Sequence, residues 1–320
     1  MFENYRYFIT LAEEKNVTQA AKKLFITHQA LSRYLSHLEK ECQVVLFYRK
    51  PTFRLTPEGE EFLKTVRVIQ SLEQNLTQRY TELRNGNTGT IRVGITEGRF
   101  RIFMPSLIKR YSKLFPAVQL LVTSARPAKL EELLLNNRLD MAIMGATGNP
   151  PPSLHREIIL NERIYVIVSD NMLRNYFPSR YPECITDFQE GIDLKQLLPL
   201  PFASNLPSAN STRMVEQLTR QLHINLHYIH TSNHPDLHHI LTSQDYVASF
   251  CLSMYLPNVK VINSRTSNHL FAFPIKGLYA TNPVVVEYRK ERIFPTYGKA
   301  LLRLIKSQCY FYASYSSSDI

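Results

Sequence analysis

The sequence predicts a mixed α/β protein in three parts: a small N-terminal helical unit closed by a basic hairpin, one long helix, and a larger C-terminal unit of two α/β lobes. Three observations carry this. Residues 18–57 pass from a helix with small apolar residues through a tight turn to a polar-faced helix and a Lys/Arg-rich hairpin. Residues 58–84 hold no proline and repeat apolar residues at heptad spacing. From residue 91 onward, short apolar runs of strand type alternate with segments of helical period, the order that favours a parallel sheet with helices on both faces.

The chain begins with an amphipathic helix over Phe2 to Glu14. Leu11, Ala12, Ala20, Ala21 and Leu24 then sit at helical spacing, and the pair Ala20-Ala21 is small enough for a second helix to cross closely. Phe25-Ile26 breaks the pattern as a turn. Thr27 stands where its hydroxyl caps a new helix, which runs to about Glu41. Leu31, Leu35 and Leu38 face inward on that helix, leaving His28, Gln29, Ser32, Arg33 and Ser36 on the other side. Gln pairs with adenine, Arg with guanine or phosphate, and Ser or Thr with phosphate or a base edge, so this face has the chemistry of base readout. A hairpin over Arg49 to Thr56 follows, and its Arg49, Lys50 and Arg54 suit a phosphate backbone. Residues 1–57 carry nine Lys/Arg against five acids. That order of elements, with this charge, points to double-stranded DNA as the partner.

In the long helix, expected over Glu58 to Arg84, Phe62, Ile69, Leu76 and Leu83 take one heptad position and Gly59, Val66, Glu73 and Tyr80 the other. The seam is broken only at Gly59 and Glu73. Two copies are expected to pair through Phe62, Val66, Ile69, Leu76, Tyr80 and Leu83, which presents two reading units to two related half-sites. Asn85-Gly86-Asn87-Thr88-Gly89 ends the helix as a hinge.

Beyond the hinge the expected order is strand 91–95, helix 103–114, strand 118–123, helix 128–137 and strand 141–144. A second lobe starts near Glu162 with strand 164–168, then 202–204, helix 212–222, strand 224–230, helix 236–241 and strand 246–250. The chain then returns to the first lobe through strands 272–275 and 284–288 and a last helix over 297–307. Ligands of such sheets bind beyond the carboxyl ends of the strands. The candidate contacts are therefore Thr96, Ser124, Arg126, Asn205 and Ser232, a set that suits a small polar or carboxylate effector.

The N-terminal segments Phe8 to Ala12, Val17 to Leu24, Thr27 to Arg33, Leu38-Glu39, Leu46-Phe47 and Arg54 to Gly59 resemble, in order and spacing, the LysR-type transcriptional regulators. The resemblance implies a winged helix-turn-helix that binds DNA with Thr18, Gln19, Thr27, His28, Gln29, Ser32, Arg33, Ser36, Arg49, Lys50 and Arg54, a dimer often assembled into tetramers, and a two-lobed periplasmic-binding-protein-like effector domain over about residues 90–307. The expected division is 1–57 for the winged helix-turn-helix, 58–87 for linker and hinge, and 88–309 for the effector domain. Its lobes are about 90–161 plus 270–309, and 162–269; residues 310–320 form a tail. RNA polymerase is a further partner that this reading allows for, and the cytoplasm is the expected compartment, since the separated cysteines suit a reducing one. Two departures stand out: His28 replaces the usual Gln, and Gln43 replaces the glycine usual after the recognition helix.

Composition agrees. The chain has 320 residues, 44% of them hydrophobic, and a net charge of +11. Cys42, Cys184, Cys251 and Cys309 are far apart without a CxxC pair, which argues against a disulfide framework and a thiolate zinc site. No signal-like apolar core and no run of membrane-spanning length is present. His223, His227, His230, His234, His238 and His239 cluster tightly, and a metal-responsive regulator is the alternative they raise. His227 and His230 fall on opposite faces of the expected strand, however, and no Cys or Glu nearby completes a ligand set. No GxGxxG, P-loop or GxSxG motif occurs, so neither enzymatic activity nor a bound cofactor is expected. A solute-binding carrier or enzyme, the alternative from another class, leaves the N-terminal unit without a purpose.

Overall fold

A computed structural model describes residues 2–85 and 87–320; Gly86 of the expected hinge lies outside the described residues. The N-terminal unit consists of α1 (Tyr5–Glu14), α2 (Val17–Lys23), α3 (His28–Cys42) and a two-stranded wing of β1 (Phe47–Tyr48) and β2 (Arg54–Leu55). Its core is Phe8, Leu11, Ala20, Ala21, Leu31, Leu35, Leu38, Leu46 and Phe47, all buried. Thr27 caps α3 by accepting from the Ala30 amide at 3.1 Å, as the sequence predicts. Gln43 ends α3 in the left-handed region with φ 57°, so the side chain that replaces glycine does occupy a strained helix end. The first helix starts at Tyr5 rather than Phe2.

The long helix α4 (Pro57–Asn85) forms as expected, but half of its predicted pairing seam is already covered within the chain. Val66 is fully buried in the N-terminal core, and Phe62 and Ile69 pack against it. Gly59 belongs to the same packing: a Cβ there would lie 2.1 Å from the Leu46 carbonyl oxygen. Glu73 breaks the heptad for a physical reason. Its carboxylate accepts from the Tyr5 hydroxyl and pairs with Arg6 at 3.0 Å, which ties α4 back to α1. Leu72, Leu76, Tyr80 and Leu83 remain about half exposed or more.

The C-terminal unit comprises two five-stranded sheets. The first holds β3 (Gly89–Ile95), β4 (Val118–Ser124), β5 (Met141–Gly145), β6 (Leu154–Glu162) and β12 (Asn282–Arg289) in the order β4-β3-β5-β12-β6. The second holds β7 (Ile164–Ser169), β8 (Pro201–Asn205), β9 (His227–Ser232), β10 (Ala248–Leu252) and β11 (Leu270–Pro274) in the order β11-β7-β10-β8-β9. Around them lie α5 (Glu97–Leu114), α6 (Pro127–Leu135), α7 (Asp170–Tyr176), α8 (Glu183–Gln189), α9 (Asn210–Gln221), α10 (Pro235–Ser243), α11 (Leu256–Asn263) and α12 (Thr296–Ala313).

Several expectations need correction. The sheets are mixed rather than parallel: β3, β4 and β5 run parallel, as do β8, β9 and β10, whereas β7, β11 and β12 pair antiparallel. Strand β6, absent from the sequence reading, pairs antiparallel with β12, because a strand buried on one side only reads weakly in hydrophobic period. Strand β11 lies in the second sheet, so the chain returns to the first lobe through β12 and not near residue 270. Helix α5 begins at Glu97, a turn and a half before the expected Phe103, and α12 continues to Ala313, so the expected tail starts inside a helix.

The linker docks on the first lobe of its own chain through a polar face. The Asn137 amide donates to the Arg67 carbonyl at 2.9 Å and to Gln70 Oε1 at 3.2 Å, and the Asn75 amide donates to the Glu291 carbonyl at 3.0 Å. Arg292 donates to Asn75 Oδ1 and pairs with Asp140 at 3.0 Å, and Asp140 also holds Arg92 at 2.8 Å.

Candidate nucleic-acid interface and ligand cleft

The buried leucine stripe of α3 turns its opposite face to solvent. His28, Gln29, Arg33 and Ser36 are exposed there and Ser32 half-buried, with Thr18 and Gln19 of α2 exposed beside them. Thr27 spends its acceptor on the helix cap and keeps its O–H to donate. In the wing, Lys50 and Arg54 are exposed, and the Arg54 guanidinium lies over the Tyr48 ring, 4.9 Å from its centre. Arg49 is more engaged than the sequence suggests: it pairs with Glu39 at 3.1 Å, and Glu39 also accepts from the Leu46 amide at 2.8 Å. One carboxylate thus fixes the wing against α3. The residues expected at DNA are thus solvent-facing on α2, α3 and the wing, with polar groups on α3 and cations on the wing, the side-chain types that suit base edges and phosphates respectively.

Between the two sheets lies a cleft of about 520 Å³. Thr96, Arg126 and Asn205 line it, three of the five residues chosen from the sequence. Ser124 and Ser232 do not. Ser232 is turned instead into the second lobe, where its hydroxyl lies 2.9 Å from the His238 Nε2 and accepts from the His234 amide at 3.3 Å. Ser124 is exposed at the end of the edge strand β4.

Four helices, α5, α6, α9 and α10, begin at this cleft, each without a side-chain cap on its first turn. Their unsatisfied amides and dipoles make the cleft receptive to negative charge. Arg99, Arg126 and Arg213 add cations to its lining. Glu97 is the acid of the lining, and it is held by the Asn233 amide at 2.7 Å, a bond from the first lobe to the second. Gly98 permits the close approach of α5 to the second lobe, since a Cβ there would lie 2.7 Å from the Tyr255 hydroxyl.

Beneath the cleft runs a buried polar chain that the sequence reading missed. Arg99 pairs with Glu162 at 2.5 Å, Glu162 accepts from the Asn282 amide at 2.8 Å, and Asn282 accepts from Asn210 at 2.7 Å. It therefore spans the first lobe, both crossover strands and the N-terminus of α9. Burial pulls the Arg99 pKa down, but the neighbouring Glu162 carboxylate outweighs it and the net shift is upward. The clue was faint: Glu162 and Asn282 face each other across the β6–β12 pair, a register invisible without β6.

The histidines do not converge. His227 and His234 are exposed, His223 ends α9 with φ 54°, and the His230 and His238 rings meet edge to face with centres 5.5 Å apart. Among the described residues, no group of three or more His, Cys, Asp or Glu side chains is placed to hold a metal ion. His238 and His239 are buried, and burial first, with a neighbouring histidine second, lowers both pKa values to about 4. Because each folded pKa lies below the ordinary 6.5, the unfolded chain binds more protons in between. The stability these rings contribute is complete above about pH 6.5 and is lost as pH falls toward 4. Urea unfolding followed between pH 7 and 4.5 is expected to show this loss, and His239→Phe should flatten it; a pH-independent midpoint in the unsubstituted chain would contradict the assignment.

The fold, the exposed reading face and the interlobe cleft define a two-domain regulatory protein of the helix-turn-helix kind. The family described as bacterial regulatory helix-turn-helix protein, lysR family, matches residues 2–60, and the LysR substrate binding domain matches residues 84–309. The chain belongs to the LysR family. It is similar to the transcriptional dual regulator GltC of Bacillus subtilis, 29% identical over 167 residues covering 52% of this chain and 56% of that protein. It also resembles the HTH-type transcriptional regulator BsdA of the same organism, 36% identical over 140 residues, 43% of this chain and 48% of the relative. The matched part spans about half the length of these relatives. Full-length OxyR from Pseudomonas aeruginosa has a similar structure, with TM-score 0.63 and 16% identity over 97% of this chain and 94% of that one. The LysR family transcriptional regulator CbnR, crystallised with its target DNA, follows with TM-score 0.54 and 20% identity over 98% of this chain and all of that one. These likenesses show the fold.

Proposed function

We propose that this chain is a sequence-specific DNA-binding transcriptional regulator, oligomeric and controlled by a small anionic effector in the interlobe cleft. The observation that carries the reading is the exposed polar face of α3 beside a basic wing, on a chain whose second domain encloses a cleft ringed by uncapped helix N-termini. Leu72, Leu76, Tyr80 and Leu83 of α4, still exposed, supply the seam for a second copy, so that two heads read two related half-sites. The helix N-termini with Arg99, Arg126 and Arg213 favour a carboxylate. Effector binding shifts the balance between lobe arrangements, and the linker, docked on the first lobe, passes that shift to the heads and so to RNA polymerase. No helix among the described residues is long and apolar enough to cross a membrane, which accords with action beside cytoplasmic DNA. The protein acts by binding and not as an enzyme.

Selection from a random duplex pool tests the reading: an enriched motif with two related halves is expected, and an unenriched pool would refute it. On the selected site, Arg33→Ala is expected to weaken binding by about 1–3 kcal/mol, with relaxed preference at one base position if Arg33 reads a base. A uniform loss over all sequences would place Arg33 on phosphate. Unchanged affinity would remove α3 from the interface.

A further inference from the structure

We propose that the effector domain carries a second DNA-binding surface, a basic face on α5 and α12 that takes the phosphate backbone of duplex flanking the site read by the heads. The two helices pack antiparallel. The Gln308 amide donates to the Phe103 carbonyl at 2.8 Å, and nearer the other end the Tyr111 hydroxyl donates to the Tyr297 carbonyl at 3.2 Å. Their outer sides join where Arg110 donates to the Ser307 hydroxyl at 3.3 Å. Lys109, Arg110 and Lys113 from α5 and Lys299 and Arg303 from α12 are all exposed on this pair. Among the described residues none of the five has an ion-pair partner. Glu97 is the sole acid on either helix, and it lies at the cleft end of α5, bound to Asn233. At the margin of the face, Lys306 pairs with Glu157 at 2.7 Å. Tyr310, exposed on α12 two turns beyond Arg303, adds a hydroxyl suited to a phosphate oxygen.

Five unpaired cations without an interspersed acid differ from an ordinary solvated face, where both signs mix. Their sign fits a polyanion, and their place favours DNA over an acidic protein. Helix α12 starts beside the linker: a Cβ on Gly89 would lie 2.6 Å from the Tyr297 hydroxyl, and Asn75 touches the chain at Glu291 just before α12. From Asn75 back to Pro57 the linker helix covers ~27 Å at 1.5 Å per residue. Duplex held by the heads is thus tethered near this face at high effective concentration, which makes even weak phosphate contacts count. The surface reads no sequence; it sets affinity, salt dependence and the path of the flanking duplex.

The inference rests on the chain binding DNA, and the test separates the two. The full chain and a variant with Lys109, Arg110, Lys113, Lys299 and Arg303 each replaced by alanine are titrated against the selected site, once in a short duplex of about 20 bp and once centred in about 70 bp, over a range of salt. On the long duplex the variant is expected to lose tenfold or more in affinity at low salt, with a log–log salt slope shallower by about 3–4 units. On the short duplex the two proteins should bind alike, which also reports that the variant is folded. Hydroxyl-radical protection outside the head-contacted bases should vanish in the variant. Equal affinity on both lengths would overturn the proposal and leave the face to an acidic protein partner, and equal loss on both would place the cations at the heads. If the unsubstituted chain fails to bind either duplex, the regulator reading itself fails.

Discussion

Replacing Asp140 with alanine is expected to destabilise the protein by about 3–5 kcal/mol, the usual cost of removing one partner from a buried charge network. Asp140 is 2% exposed and serves two guanidinium groups, Arg92 at 2.8 Å and Arg292 at 3.0 Å, while also accepting from the Arg92 amide at 2.7 Å. Alanine leaves both cations facing each other without a counter-charge. The effect should reach beyond the first lobe. Arg292 also holds Asn75 of the linker, so loss of Asp140 frees the cation that anchors α4. Urea unfolding monitored by tyrosine fluorescence should show a lowered midpoint, and hydrogen exchange should rise across residues 67–75 of α4 before the lobe unfolds. A lowered midpoint with unchanged exchange in α4 would mean that Asn137 and the Asn75 bond to the Glu291 carbonyl hold the linker without Asp140, and an unchanged midpoint would remove Asp140 from the load path entirely.

This polar docking shows where a sequence reading stops. The N-terminal unit was legible because its signals are local: leucines at helical spacing, a threonine cap, and a wing whose cations lie within a few residues of each other. The connecting helix was legible in extent, but not in what it touches. Val66 fits a dimer seam and fits the core of its own head equally well by period alone, and only the position of α1 decides for the core. Glu73 reads as a flaw in a heptad, and its reason, Tyr5 and Arg6, lies more than sixty residues away. In the effector domain, Thr96, Arg126 and Asn205 were found because the ends of parallel strands mark a cleft. Arg99 and Asn282 were not, because one sits in the early part of α5 that carries no clear period and the other opens a strand whose antiparallel partner was unseen. Ser232 was misplaced because its strand starts at His227, three residues later than the hydrophobic pattern suggests, and its hydroxyl is taken up by His238.

Arg99→Ala is the second large expected effect, again about 3–5 kcal/mol of stability, and it is informative because a compensating change can be designed. Glu162 is fully buried, and without Arg99 its carboxylate keeps only the Asn282 amide. A paired replacement, Arg99→Met with Glu162→Leu, removes both charges and should restore most of the stability, since well-packed apolar residues often match or exceed a buried ion pair. If the pair were present for stability alone, this double variant would behave as the parent chain does. The structure argues otherwise. Arg99 lines the cleft, and through Glu162, Asn282 and Asn210 it connects the cleft-facing turn of α5 to the crossover strands and to the second lobe. The double variant is therefore expected to fold, to bind DNA with unchanged affinity, and to lose the response of that binding to carboxylates that shift it in the parent. Retained response would mean that the anion is held by Arg126, Arg213 and the helix N-termini without Arg99, and that the buried chain does no more than fix the angle between the lobes. A stable fold with the response gone would locate the coupling between ligand and lobe position in one ion pair, kept where an apolar pair would be at least as stable.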